Sequence, residues 1–128
     1  MTPPQRAQTV IVGGGAVGCA VAYSLAEAGR KDILVLEKEE SLATQTTSQA
    51  AGLVGQVRST VEEVKLLMWS AETFERLQAD SPESPAWRQV GSLRVAHCDG
   101  RIDELKNLKA VADEAGLETE FIDNDRAR

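Results

Sequence analysis

The residues with the clearest chemical purpose lie between Thr9 and Glu37. An apolar run, Thr9-Val10-Ile11-Val12, leads into Gly13-Gly14-Gly15-Ala16-Val17-Gly18. An apolar helical stretch then runs to Gly29, and Ile33-Leu34-Val35-Leu36-Glu37 follows. Strand, glycine turn, helix, strand and acid in this order suit a dinucleotide. Gly13 permits a tight turn off the first strand. Gly15 has no Cβ, so a pyrophosphate can approach the backbone, and Gly18 lets the helix pack close to the strands. Amides opening the helix near Gly15 and Ala16 point at the phosphates, where the helix dipole favours negative charge. Glu37 ends the second strand, where a carboxylate accepts hydrogen bonds from an adenosine ribose. The same charge repels a ribose phosphate, which disfavours a phosphorylated nicotinamide cofactor. The glycines and the acid alone do not separate FAD from NAD. The alternative is a glycine-rich turn in some other α/β protein, and the flanking strand, helix and acid argue against it.

The other candidate region has no periodicity. From Lys38 to Ser59, and above all over Ser41-Leu42-Ala43-Thr44-Gln45-Thr46-Thr47-Ser48-Gln49-Ala50-Ala51-Gly52-Leu53, the chain is rich in hydroxyls and small residues. Long irregular stretches in a domain are usually functional or disordered, and the few charges here argue against simple disorder. Thr46, Thr47 and Ser48 offer hydroxyl donors, while Ala50-Ala51-Gly52 leaves backbone amides bare for a ligand. A solvated serine/threonine loop fits the same residues equally well.

Metal and thiol chemistry find little support. Cys19 and Cys98 form no Cys-x-x-Cys pair, and His97 is the single histidine, so no Cys/His metal cluster is expected. Cys19 follows Gly18 inside the first helix and reads as a small buried residue. His97 and Cys98 are neighbours on an expected strand end, and adjacent strand residues point to opposite faces. The chain has 128 residues, 42% of them hydrophobic, and a net charge of −6. Acids and bases are interspersed, so no basic nucleic-acid surface is expected. No apolar run approaches the ~20 residues of a membrane span. The polar lead Met1-Thr2-Pro3-Pro4-Gln5-Arg6 lacks the apolar stretch of a signal peptide and is too short for a transit peptide, so a soluble, cytoplasmic protein is expected.

The elements that must position these residues follow from pattern. Val17, Ala20, Val21, Ser24, Leu25 and Ala28 recur at helical spacing over Ala16 to Ala28, with Gly29 as C-terminal cap. Ile33 to Leu36 is continuous, as in a central parallel strand buried on both faces. Thr60-Val61-Glu62-Glu63 is a capping box opening a helix to about Ala79. Its buried side is marked by Val61, Val64, Leu67, Met68, Ala71 and Phe74, and Met68 and Trp69 are read as core packing. Ser81-Pro82-Glu83-Ser84-Pro85 is a turn. Trp87 to Ala96 reads as a strand with a bulge or close approach at Gly91, and Asp99-Gly100 as a turn. Ile102, Leu105, Leu108, Ala112 and Ala115 trace another helix capped at Gly116. Glu120-Phe121-Ile122 starts a short strand.

At this level a specific resemblance emerges. The glycine turn ending in Leu36-Glu37-Lys38 resembles the amino-terminal end of FAD-dependent amine oxidoreductases of the D-amino-acid-oxidase superfamily. Thr47-Ser48-Gln49-Ala50-Ala51-Gly52-Leu53 with Gly55-Gln56-Val57-Arg58, and Val90-Gly91-Ser92-Leu93-Arg94-Val95-Ala96, are similar to the sarcosine and dimethylglycine dehydrogenase/oxidase branch. The resemblance implies that Thr47 and Ser48 lie along the pyrophosphate and ribityl chain. It places Ala50, Ala51, Gly52 and Leu53 near the isoalloxazine, and Arg58 toward the active-site side. Members with covalent flavin carry a histidine where this chain has Gln49, so the resemblance implies non-covalent FAD. The expected cofactor-binding set is Gly13, Gly15, Ala16, Val17, Gly18, Glu37, Lys38, Thr47, Ser48, Gln49, Ala50, Ala51, Gly52 and Leu53. No catalytic residue is assigned.

The resulting expectation is an α/β fold, the incomplete amino-terminal part of a Rossmann-like, three-layer β/β/α FAD-binding domain. Residues 1–37 form the strand–helix–strand dinucleotide unit, 38–60 a flavin-contacting loop, and 61–128 a helix–strand–helix–strand extension. Family members run to several hundred residues, with a later Gly-Asp strand end and a substrate domain, so the chain is expected to be the first third or less of such an enzyme. The parent activity would be oxidation of an N-methyl or secondary amine by hydride transfer to FAD, with a small-molecule amine as the partner and no nucleic acid or membrane. The alternatives are another FAD oxidoreductase of the superfamily, such as a glycine oxidase or glycerol-phosphate dehydrogenase, or a truncated, non-catalytic nucleotide-binding fragment.

Overall fold

Short β-branched runs need a partner ladder to become strands. Thr9–Val12 and Ile33–Leu36 supply one another. In the computed structural model, which describes residues 4–81, 86–123 and 125–127, they are β1 and β2, paired in parallel with Val10 opposite Leu34 and Val12 opposite Leu36. The ladder extends at both ends, through the Thr9 amide to the Asp32 carbonyl (3.3 Å) and the Gly13 amide to the Leu36 carbonyl (2.7 Å). Between them runs α1 (Ala16–Glu27). It ends at Gly29 (φ +76), whose amide bonds the Ala26 carbonyl while the Arg30 amide bonds that of Leu25. This pair of bonds is the Schellman closure that a glycine permits. The elements α2 (Val61–Asp80) and α3 (Asp99–Ala115) follow.

The chain divides into two compact units, Met1–Leu53 and Val54–Arg128. In the first, α1 lies on β1 and β2, and Gly18, Ala22 and Leu25, spaced as one helical stripe, are all half-buried. Of the apolar face expected from periodicity, only Leu25 is on this stripe. Val17, Ala20 and Val21 are exposed, as are Val10 and Val12 on the outer side of β1. β1 is therefore covered on one face, and the two-face burial expected of Ile33 to Leu36 is not found: none of the four is fully buried and Leu36 is exposed. Close packing selects the stripe: a Cβ on Gly18 would fall on the Gly13 carbonyl oxygen, so this is the side on which the helix can touch the strand. Cys19 is half-buried, and its thiol donates to the Gly14 carbonyl at 3.4 Å.

In the second unit Thr60 caps α2 as its sequence predicts. Its hydroxyl oxygen accepts the Glu63 amide (3.3 Å), and its proton goes to the Glu63 carboxylate (2.9 Å). α2 packs on α3, and the fully or nearly buried residues of these helices are the small Val64, Ala71 and Ala112. Phe74 stacks on Trp87 with ring centroids 5.4 Å apart. Trp69 is not core; it is more than half exposed. The strands expected over Trp87–Ala96 and Glu120–Ile122 are irregular chain. No described residue offers either a ladder, and without one an extended run is not a strand. Asp99-Gly100 is not a turn but the first turn of α3, where an acid suits the helix dipole. After Ser81, the turn expected to Pro85 falls outside the described residues.

The contrast between Gly18 and Gly100 gives a direct test. Gly18→Ala forces a Cβ into backbone, an overpacking cost of about 1–3 kcal/mol. A Cβ on Gly100 meets nothing within 4 Å, and alanine there should add about 0.5–1 kcal/mol. Urea denaturation of both variants measures the difference; equal midpoints would refute the helix–strand contact.

Candidate dinucleotide site

The site is built on the backbone of the glycine turn. Gly13 takes φ +103, a region open to glycine and costly for other residues, and this turns the chain off β1 into α1. The pairing of β1 with β2 delivers Glu37, one residue past Leu36, beside the turn. Its carboxylate accepts the Gly14 amide on Oε2 (2.7 Å) and the Lys38 and Glu39 amides on Oε1 (2.8 and 3.0 Å). The amides of Glu39 and Gly14 are the main reasons the Glu37 carboxyl is held below the ordinary carboxylate range. Loss of water opposes this, and the Lys38 amide and charge assist it. A carboxylate has about four acceptor positions, so three amide bonds leave capacity for a ribose hydroxyl.

The irregular segment after β2 folds back over the turn. The Ala43 amide donates to the Gly14 carbonyl at 2.9 Å. Successive tight turns then carry the chain onward, with the amides of Ser48, Gln49 and Ala50 bonding the carbonyls of Gln45, Thr46 and Thr47. Thr47 arrives at the start of α1, where its Oγ1 accepts the Ala16 amide at 3.1 Å. Helix α1 has no cap from Gly15, and Thr47 serves as one from a distance in sequence. A hydroxyl that accepts this amide keeps its own proton to donate. Ser48 is different. Its hydroxyl points at the Thr44 and Gln45 carbonyls, at 2.9 and 2.7 Å, inside its own loop.

Gly15, Glu37 and Ala43 to Thr47 line an open cleft of about 170 Å³. Of the expected residues, the structure gathers Gly13, Gly15, Ala16, Glu37 and Thr47 into one cluster, with Gly18 beneath the turn. Val17 is exposed on α1 away from the cleft lining, and the Lys38 ammonium is exposed and pairs with Glu39 at 3.2 Å. Gln49, Ala50, Ala51, Gly52 and Leu53 are exposed and outside the lining. The Ala50 amide is not bare but bonded within the loop. Sequence reasoning missed Gly14, whose buried peptide receives Glu37 and Ala43. The available signal was a glycine between the two that the motif requires. Among the described residues no group of His, Cys, Asp or Glu is placed to hold a metal ion.

A parallel βαβ unit with a bare glycine turn at a helix amino terminus and an acid closing the second strand defines a dinucleotide-binding class of protein. The chain belongs to the family described as DAO, FAD dependent oxidoreductase, whose profile matches residues 8–128. It is 41% identical over 123 residues to the 4-methylaminobutanoate oxidase (formaldehyde-forming) of Paenarthrobacter nicotinovorans, covering 96% of this chain and 15% of that protein. It is 40% identical over 108 residues to the mitochondrial dimethylglycine dehydrogenase of Rattus norvegicus, covering 82% of this chain and 12% of that one. Its fold matches L-proline dehydrogenase from P. horikoshii with a TM-score of 0.90 at 23% identity, over 98% of this chain and 32% of that chain. The family expected from the motifs is thus the family found, and so is the α/β class. The chain spans only a small fraction of the length of these relatives.

The Glu37 contacts predict how stability depends on pH. A carboxyl whose folded pKa lies below its unfolded value contributes stability that is complete above the unfolded pKa. That contribution is lost as pH falls through the folded pKa. Wild type should therefore be more stable than Glu37→Gln near neutral pH, with the gap closing through and below the ordinary carboxylate range. Thermal melts of both proteins from neutral pH to strongly acidic pH measure it; parallel curves would show that the amide contacts do not hold the charge.

Proposed function

We propose that this chain is the FAD-binding portion of an oxidoreductase that oxidises N-methyl or secondary amines of the sarcosine or dimethylglycine kind. The observation that carries the reading is the convergence of Gly15, Glu37 and Thr47 on one cleft, with Thr47 held by the Ala16 amide. A glycine-lined helix start suits phosphates, and a carboxylate beside it suits a ribose. The amine class is supported by relatives whose names specify methylaminobutanoate and dimethylglycine. FAD, when bound, supplies the hydride acceptor for carbon–nitrogen oxidation. The residues of this chain bind and orient. Gly13 and Gly15 admit the pyrophosphate to the backbone, Thr47, anchored by the Ala16 amide, presents its hydroxyl proton at the dipole's positive end, and Glu37 orders the turn and takes the ribose. Gln49, an amide with no nucleophilic character, favours non-covalent attachment. The substrate-facing chemistry belongs to the whole protein, in which the amine is the small-molecule partner and the cytoplasm the place of action.

Titration with FAD, followed by flavin fluorescence, tests the site. Glu37→Ala should weaken binding about tenfold, the scale of a lost hydrogen bond to a charged group. Gly15→Val should do more harm, because its branches would crowd Thr47 Oγ1, which lies 3.4 Å from the Cβ position. Normal FAD affinity in both variants would remove the assignment. In the whole protein, flavin should pass into the supernatant on acid precipitation and bleach on anaerobic addition of sarcosine or dimethylglycine. Flavin left on the precipitate would contradict the reading of Gln49, and a flavin unchanged by either amine would contradict the substrate class.

A further inference from the structure

The cleft has two sides, the glycine turn and the segment after β2, and something must fix one against the other. The contacts that do so converge on Gly14. Its amide is held by Glu37 at 2.7 Å, and its carbonyl by the Ala43 amide at 2.9 Å. Its α-carbon is covered by the Leu42 side chain: a Cβ built on Gly14 would collide with Leu42 Cδ2. We propose that Leu42, seated on Gly14, is a positioning residue that holds Thr47 against the Ala16 amide and so sets the phosphate-facing half of the cofactor site. This rests on the reading of the cleft given above.

The geometry supports the lock in three ways. Ala43 is a non-glycine residue at φ +60, a conformation that persists only where its surroundings hold it. It sits directly after Leu42 and makes the backbone bond to Gly14. Four residues on, Thr47 lies within turns closed by the Ser48, Gln49 and Ala50 amides and by the Ser48 hydroxyl on the Thr44 carbonyl, so the docking point at Leu42 and Ala43 limits where Thr47 arrives. Gly14 is buried and is not among the glycines with positive φ. Its backbone conformation does not demand glycine; the seat of Leu42, and to a lesser degree the approach of Glu37, do. An alanine there is compatible with the backbone but pushes the flexible Leu42 side chain off its seat, and it also crowds Glu37, whose Oε2 lies 3.3 Å from the Cβ position, so Leu42→Ala is the cleaner variant.

The experiment follows exchange of the Ala16 amide by NMR in the cofactor-free chain, together with FAD affinity. Amides of β1 and β2 serve as the reference for an intact fold. Thr47→Val removes the acceptor and should speed Ala16 exchange by roughly tenfold, the worth of about one hydrogen bond. Leu42→Ala and Gly14→Ala should do the same with Thr47 still present. Their double variant should add little to either, because both empty the same seat, while Leu42→Met should keep exchange slow. FAD affinity should fall several-fold in the three fast-exchanging single variants and stay near wild type in Leu42→Met. If Leu42→Ala loses the strand protection, Gly14→Ala carries the test. Slow Ala16 exchange in folded Leu42→Ala or Gly14→Ala would overturn the proposal, and so would slow exchange in Thr47→Val. Should the wild-type chain fail to bind FAD while Ala16 exchange follows the expected pattern, the cofactor reading fails and the lock stands.

Discussion

The first unit depends on one carboxylate meeting several backbone amides. Gly14 is buried in the turn, and a buried amide without a partner is costly to fold. α1 cannot supply that partner, since the residue lies before its first turn. β1 has already ended. Glu37 reaches it because parallel pairing sets Leu36 beside Gly13, so the next residue of β2 stands level with the turn. The same carboxylate gathers the Lys38 and Glu39 amides and bends the chain out of β2. Strand register, glycine turn and the start of the following loop are thus joined at a single side chain. An acid at this position has a structural task before any ribose arrives, and the two tasks agree: the amides that order the turn also keep the carboxylate ionised and aimed.

Much of this was legible, because the parts that can be read are those dictated by backbone geometry. Gly13 must turn, and it does so at positive φ. Gly18 must let helix and strand touch, and its missing Cβ is where the Gly13 carbonyl lies. Thr60 and Glu63 form their cap because capping is local. The buried face of α1 was misjudged for a related reason. Hydrophobic periodicity weights large side chains and so favoured Val17 and Val21. The contact face is instead chosen by smallness at Gly18 and Ala22, which carry little hydropathy signal.

The second unit shows where local reading stops. Val90, Leu93 and Val95 have the composition of a strand, and all are exposed on irregular chain. β-propensity describes fitness for a pleated surface and becomes structure only with a paired neighbour. Helices α2 and α3 need no such neighbour, since their hydrogen bonds are internal; Val64, Ala71 and Ala112 are buried where spacing puts them, while Ile102, in the first turn of α3, is exposed. Asp99-Gly100 has the sequence of a turn and also suits a helix start. Apolar residues at Ile102, Leu105 and Leu108 continue the helix from there, and the start is what forms.

The hydroxyl-rich segment posed the hardest problem, because Thr46, Thr47 and Ser48 are chemically alike. What distinguishes them is the backbone that each one meets. Ser48 lies in the tight turns and gives its proton to carbonyls three and four residues back, a bond set by local geometry. A hydroxyl so used has no proton left for a ligand. Thr47 meets the start of a helix from a distant part of the chain and accepts there instead, which leaves its proton available. The division of labour follows from a rule that composition cannot express. A hydroxyl has one hydrogen to give, and whether a ligand can have it depends on whether the nearest backbone offers a carbonyl or an amide.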